Sequence, residues 1–317
     1  MALLVLSLFP GIGLLDMAFE EEGFCVVRGP DLLWGGDVKR FHPPAGKFDG
    51  VIGGPPCQAF SKLAFLQKHA GRAPRHGNLI PEFERCVREA APAWFVMENV
   101  PDAPVPSVAD YYVSSQLIDN RWVEQADGIG GEQRRVRRFS FGRINGSSFA
   151  MQLPIEYALL EAPLQTFAVT ARHSGRMSWQ VKAPGTVTAS DGGASVRMNR
   201  YKLPEACRLQ GVAEDFLEHA PFTAQGKLQA VANGVPLPMG RAIARAVRNV
   251  MNYKPGDETK ADDELLRLEK RVENYRTDSG YTEEYAVDIM LDLLSAIRRR
   301  SRQPEVMSDD ASRRERG

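Results

Sequence analysis

Cys57 and Glu98 are the residues of this sequence whose types and settings point most directly to chemistry. Cys57 lies in Gly53-Gly54-Pro55-Pro56-Cys57-Gln58-Ala59-Phe60-Ser61, directly after the apolar run Gly50-Val51-Ile52. Proline fixes φ at about −65° and has no backbone N–H, so two in succession hold a loop in one shape. A thiol presented that way, at the carboxyl end of a predicted strand, is placed for nucleophilic attack. A packed structural thiol is the alternative, and for a cysteine on its own it is the commoner one. Glu98 follows a second apolar run in Phe95-Val96-Met97-Glu98-Asn99-Val100. Burial beside a strand end would keep such a carboxyl group protonated; a surface carboxylate after a strand is the alternative. Arg135 and Arg137 flank Val136 and so share one face of an extended segment. Taken alone, a charge run such as residues 134–138 reads as a solvated face or a phosphate patch.

Together these segments resemble the cytosine-C5 DNA methyltransferases, and four further stretches match in the family's usual order. They are Ser7-Leu8-Phe9-Pro10-Gly11-Ile12-Gly13, Gln133-Arg134-Arg135-Val136-Arg137, Arg208-Leu209-Gln210-Gly211 and Val231-Ala232-Asn233-Gly234-Val235-Pro236. The matches span about residues 1–142 and 196–250. The resemblance implies an α/β, Rossmann-like S-adenosylmethionine-dependent methyltransferase fold with a small target-recognition domain and a helical C-terminal extension. It implies that Cys57 adds to cytosine C6, which makes the otherwise unreactive C5 enamine-like. Glu98 would then bond the ring N3 and exocyclic amine, Arg137 would contact O2, and Arg135 would support the active-site loop. The implied cofactor is S-adenosylmethionine, held by Phe9, Gly11, Ile12, Gly13, Asp37, Val38, Leu79, Asn233 and Val235, with Gly54 and Pro56 against its methionine end.

The sequence departs from the family pattern at three places. Ser7 stands for the usual Asp before the Phe-x-Gly loop, and Leu14 for the third Gly. An acidic residue normally ends the second strand and holds the ribose; here that region reads Arg28-Gly29-Pro30-Asp31, and Asp31 is the nearest candidate. A cofactor variant with an added acidic group near Arg28 is the reading these changes open.

The implied partner is double-stranded DNA, from which the target base must be flipped. Gln58 and Ser61 would contact phosphate or fill the gap, and Arg172, His173, Arg176 and Gln180 are the candidates for base readout. A cognate restriction endonuclease is a functional partner for such an enzyme. A tRNA methyltransferase of the same fold is the alternative function, since its motifs would look much the same. A non-catalytic DNA-binding relative would predict the loss of Cys57 or Glu98, and both are present.

Alternating short apolar runs and helical stretches predict a parallel sheet. Strands are expected at 3–8, 25–27, 50–52, 94–97 and 138–142, and helices at 14–22 and 82–90. From about 144 to 197 no helical periodicity is evident, and 227–252 is apolar and helical again. The predicted organisation is a cofactor-binding and catalytic domain (1–142), a short recognition domain (143–207), a return segment completing the first domain (208–253) and a helical extension (254–317). In the extension Leu265, Leu268, Val272 and Tyr275 form an apolar seam, which could pack on the body or on a second subunit; disorder is expected from 303 onward.

The 40 basic and 40 acidic residues cancel. Local rather than net charge sets phosphate affinity, so this balance does not bear on a nucleic-acid partner. No apolar stretch reaches the roughly 20 residues of a membrane span. Four cysteines without metal-like or disulfide spacing, one of them a working thiolate, imply no metal and a reducing, cytoplasmic setting.

Overall fold

A computed structural model of the chain describes residues 2–56, 60, 77–123, 131, 133–144, 153–157, 202–252, 270–272 and 274. Cys57, Gln58, Ser61, Arg172, His173, Arg176 and Gln180 lie outside them, as does most of the predicted helical extension. The chain divides into two compact units, Met1–Tyr253 and Lys254–Gly317. Everything below concerns the first.

Its centre is a six-stranded sheet of order β2-β1-β3-β4-β6-β5. The strands are β1 (Leu4–Leu8), β2 (Cys25–Arg28), β3 (Gly50–Gly53), β4 (Trp94–Asn99), β5 (Tyr111–Asp119) and β6 (Val136–Ile144). β1 to β4 pair in parallel, and β6 runs antiparallel to both β4 and β5. β1, β3 and β4 read as continuous apolar runs because the sheet is covered on both faces. On one face Leu6, Leu8, Val51, Phe95 and Met97 form a core with Phe83 and Val87 of helix α2 (Ile80–Ala90). On the other, Phe19 of helix α1 (Leu14–Glu21) stacks on Trp94 at 6.2 Å, and Phe24 meets the same ring edge-on at 5.9 Å.

Among the described residues of the unit there are three further α-helices: α3 (Leu203–Leu209), α4 (Ala224–Asn233) and α5 (Leu237–Met251). α5 lies against α1 so closely that a Cβ on Gly240 would come within 2.7 Å of the Ala18 methyl. Arg241 pairs with Glu21, and Arg245 and Arg248 pair with Glu22, so the two helices also meet in a row of ions. The Arg241–Glu21 pair, exposed on both sides, contributes at most about 1 kcal/mol. The apolar face of α5, with Ile243, Val247 and Val250 buried, is the larger contribution.

The structure departs from the sequence reading in several ways. The sheet is mixed, not parallel. β5 has no counterpart among the expected strands, because its interior reads Ser114-Ser115-Gln116 and lacks the usual apolar alternation. Those polar groups are used inside the fold: Gln116 Nε2 donates to the Leu153 carbonyl at 3.0 Å, and the Ser115 hydroxyl meets Arg138 and Ser140. The helical region 227–252 is two helices, since Pro236 disfavours helical geometry at the residue before it. α3 is likewise additional, and it runs through the boundary drawn between 207 and 208.

Two strand glycines have a steric reason. A Cβ on Gly50 would fall 2.2 Å from the Trp94 indole, and one on Gly142 would fall 2.1 Å from the Phe95 ring. Each glycine faces its aromatic across a strand pair. Trp94 is fully buried and gripped by Phe19 and Phe24, so its ring cannot swing away. Gly50→Ala is therefore expected to cost about 1–3 kcal/mol, as overpacking in a filled core does. A urea titration reads this as a lowered midpoint; an unchanged midpoint would show that the indole relaxes freely.

Candidate active site

A cavity of about 710 Å³ opens at the carboxyl ends of the parallel strands. Its place follows from the topology: the chain leaves β1 towards β2 and returns to β3 on the other side, and loops part at such a reversal.

The loop after β1 forms one wall. Phe9 holds a positive φ of 57°, with Gly11 at 56° and Gly13 at 81°. A non-glycine residue in that region is uncommon and costs conformational energy, which marks the loop as shaped by more than local preference. Asp31 braces it from the β2 side. Its Oδ2 accepts from the Gly11 N–H at 2.8 Å and its Oδ1 from the Leu33 N–H at 2.7 Å. The Trp34 indole N–H donates to the Gly11 carbonyl at 2.7 Å. Phe9, Gly11, Ile12, Asp31, Asp37, Val38, Gly54, Pro56, Leu79, Asn233 and Val235 all border the cavity. Gly13 does not. It caps α1, with the Arg28 guanidinium so near that a Cβ there would lie 2.8 Å from Nη2.

The departures around Ser7 and Arg28 resolve into a local arrangement. The Ser7 hydroxyl donates to Asp16 Oδ1 at 2.5 Å, and Arg28 Nε pairs with Asp16 Oδ2 at 3.0 Å. A buried carboxyl group thus reaches the end of β1 from α1. Burial pushes the Asp16 carboxyl above its usual range, against the pull of Ser7 and Arg28. Arg28 meets Asp16 through Nε alone and its side chain stays about half exposed.

The opposite wall holds Glu98, Arg135 and Arg137. Glu98 faces Phe139 across the β4–β6 pair, so Arg137, two residues away on β6, is its diagonal neighbour on the same face. Arg137 Nε lies 3.0 Å from Glu98 Oε1, and both side chains are largely buried. Burial raises the Glu98 carboxyl above the ordinary glutamate value, and the nearby Arg137 and Arg135 charges only partly offset it. Gly54 touches the same group: a Cβ there would sit 3.0 Å from Glu98 Oε2.

The resemblance assigns Arg135 to the active-site loop, most of which lies outside the described residues. In the structure its Nη2 donates to the carbonyls of Ala232 and Gly234, at 2.8 and 2.9 Å, on either side of Asn233. A cation at the carboxyl end of α4 also suits the helix dipole.

The sequence reading gives no role to Asn99, which is buried. Its Nδ2 donates to the Pro55 carbonyl at 3.1 Å and so fixes the loop that leads into Cys57. Phe222 and Gln229 also border the cavity, and no motif singles them out. Cys25, Cys86 and Cys207 do not border it. Cys86 and Cys207 are buried, and desolvation pushes both thiols up to about 11, which suits packing and not attack. Among the described residues there is no cluster that could hold a metal and no helix long and apolar enough to cross a membrane.

The profile of the C-5 cytosine-specific DNA methylases matches residues 36–104, which carry Asp37, Gly54, Pro56 and Glu98. Type II methyltransferase M.HgiGI of Herpetosiphon aurantiacus is 30% identical over 124 residues, 94% of its own length and 32% of this chain. The chain belongs to the C-5 cytosine-specific DNA methylase family. Type II methyltransferase M.FnuDI of Fusobacterium nucleatum is 32% identical over 177 residues, covering 48% of this chain and 51% of that protein. The chain thus spans about half the length of this longer relative. Among solved structures, methyltransferase EhMeth of Entamoeba histolytica aligns with TM-score 0.51 at 13% identity, over 80% of this chain and 100% of that one. A DNMT2 of Spodoptera frugiperda gives TM-score 0.51 at 12% identity over 78% and 100%. At such identities the likeness is one of fold, and that fold is the Rossmann-like methyltransferase fold.

The raised Glu98 carboxyl has a consequence for stability. As pH rises, the unfolded chain releases this proton first, near the ordinary glutamate value of about 4.3, while the folded chain still holds it. The native state then binds more protons than the unfolded one, so stability falls with rising pH across that window. Glu98→Gln removes this contribution. Its urea midpoint relative to the unaltered protein should therefore move upward between pH 4 and pH 8. A relative midpoint that moves downward would mean that Arg137 and Arg135 overcompensate the burial.

Proposed function

We propose that the protein transfers a methyl group to C5 of a cytosine in duplex DNA, with S-adenosylmethionine as the methyl donor. The observation that carries this reading is the placing of Glu98, buried against Arg137, on a cavity that also takes in Pro56, the residue before Cys57. A carboxyl group held toward its protonated form suits a ring nitrogen that must accept a proton as the ring gains electron density.

The residues present fit a donor of this kind. The cavity volume lies within the roughly 300–1,000 Å³ of small-molecule sites. Asp31 would take the ribose hydroxyls on lone pairs left over from its two backbone N–H bonds. Val38 and Leu79 supply apolar surface for a base, and Gly54 leaves room beside Glu98. When bound, the donor supplies an electrophilic methyl group on a sulfonium sulfur.

On the protein side, the Cys57 thiolate forms a bond to cytosine C6, and the C5–C6 π pair becomes available at C5. Glu98 donates its proton to N3, and Arg137 holds O2. Once C5 carries the methyl group it gives up its hydrogen as a proton to a base, the Cys57 sulfur leaves C6 with the C–S electron pair, and N3 returns its proton to Glu98. Asn99, through Pro55, keeps the thiol loop in register, where a displacement of about 1 Å can cost a hundredfold. Flipping the base out of the duplex costs a few kcal/mol, recovered through pocket and phosphate contacts. Gln58 and Ser61 are the proposed contacts on the thiol loop, and Arg172, His173, Arg176 and Gln180 in the short recognition domain are proposed to read bases.

The test is mass spectrometry of nucleosides from duplex DNA and, separately, from tRNA, after incubation with the protein and S-adenosylmethionine. The expected result is 5-methylcytosine in the DNA sample alone, lost with Cys57→Ala. Product in tRNA alone would transfer the reading to RNA. Undiminished product with Cys57→Ala would refute the covalent route.

A further inference from the structure

The wall that carries Asn233 is held by groups that no motif explains by itself. α4 ends there, and the last carbonyls of a helix have no partner within the helix. Here the Gly234 N–H caps the Val231 carbonyl at 3.1 Å, and side chains from distant segments add to it. The Val231 carbonyl accepts from Gln210 Nε2 at 2.8 Å, and the Ala232 carbonyl accepts from Arg135. The Gly234 carbonyl accepts from both, with Gln210 at 3.3 Å.

Gln210 is itself fixed. Gln133 Nε2 reaches its Oε1 at 3.4 Å while donating to the neighbouring Leu209 carbonyl at 2.8 Å. The backbone carbonyl of Gln210 accepts from the N–H of Leu237, where α5 begins, at 2.9 Å. That bond ties Gln210 to the start of α5 as well as to the end of α4. Gln133, Gln210 and Arg135 are all essentially inaccessible to solvent. Only an amide at 210 meets these demands, donating to two carbonyls while accepting from Gln133. A glutamate would set its oxygens against the Val231 and Gly234 carbonyls, and an apolar residue would take one of two donors from each, leaving the Gly234 N–H on Val231 and Arg135 on Gly234.

We infer that Gln210 is a positioning residue of the methyl-donor site, acting through residues 231–234 to hold Asn233 against the cavity. The inference rests on the proposed reading of that cavity as the donor site. It goes beyond that reading because Gln210 itself does not border the cavity.

The experiment is calorimetric titration of the full chain with S-adenosylhomocysteine, which occupies a donor site without turnover. The variants are Gln210→Met, Asn233→Ala and the double substitution, each checked by thermal melting. Gln210→Met keeps the volume and removes the hydrogen bonds, and is expected to weaken binding roughly tenfold. Because Gln210 acts through Asn233, the double variant should bind no more weakly than Asn233→Ala alone. In methyl-transfer assays the KM for the donor should rise while kcat at saturating donor is kept. If Gln210→Met does not fold, Gln210→Asn, whose amide falls one methylene short, carries the same comparison. Native affinity in a folded Gln210 variant, or losses that multiply in the double variant, would overturn the inference. Failure of the unaltered protein to bind S-adenosylhomocysteine would overturn the donor reading, and the inference with it.

Discussion

The constraint on which the first unit depends is the burial of one carboxyl group, Glu98, at the mouth of a sheet. Water is kept from it on most sides, so its proton is held more tightly than usual, and the compensating charge must come from a fixed partner. That partner is Arg137, and the direction of β6 is what delivers it. In the antiparallel pair, the start of β6 lies beside the end of β4. A parallel strand in the same position would carry its first residues to the far end of the sheet, away from the cavity. The one reversed strand among the neighbours of β4 therefore belongs to the site as much as to the fold.

A second requirement follows from chain order. The cavity is assembled from the loop after β1, the loop after β3, the end of β4, the entry to β6 and the junction of α4 with α5. These segments are far apart in sequence and must be locked by more than apolar packing, which does not specify register. Polar side chains supply the locks, partly buried at Asp31 and buried at the others. Asp31 holds the first loop, Asn99 the second, and Arg135 with Gln210 the helix junction. Each is a donor or acceptor aimed at backbone, where a mismatch would leave a buried polar group unsatisfied. Local networks of this kind let segments with little sequence in common between them converge on one pocket.

Much of this was legible in the sequence, for physical reasons that differ by element. β1, β3 and β4 were visible because strands covered on both faces read as apolar runs. β5 was hidden because its interior polar groups find partners only in the folded state, as Gln116 does with Leu153. The reversal of β6 has no local signature, since strand direction is set by pairing. The motif residues Glu98, Arg137 and Asp31 could be singled out, yet the sequence could not show that Arg135 reaches α4 or that Asp16 and Ser7 act together with Arg28. Those are contacts between segments, and single-chain periodicity carries no information about them.

The central claim is that Cys57 forms a bond to cytosine C6 while Glu98 protonates the ring. Fluorine at C5 tests it directly, because the final step needs C5 to lose a proton and fluorine cannot leave as a cation. The measurement is denaturing electrophoresis, with peptide mass mapping, of the protein incubated with S-adenosylmethionine and duplex DNA in which every cytosine is 5-fluorocytosine. The account predicts a complex that survives denaturation, requires the donor and maps to the peptide carrying Cys57. A protein that methylates ordinary cytosine but forms no such complex, or forms it through another residue, would contradict it.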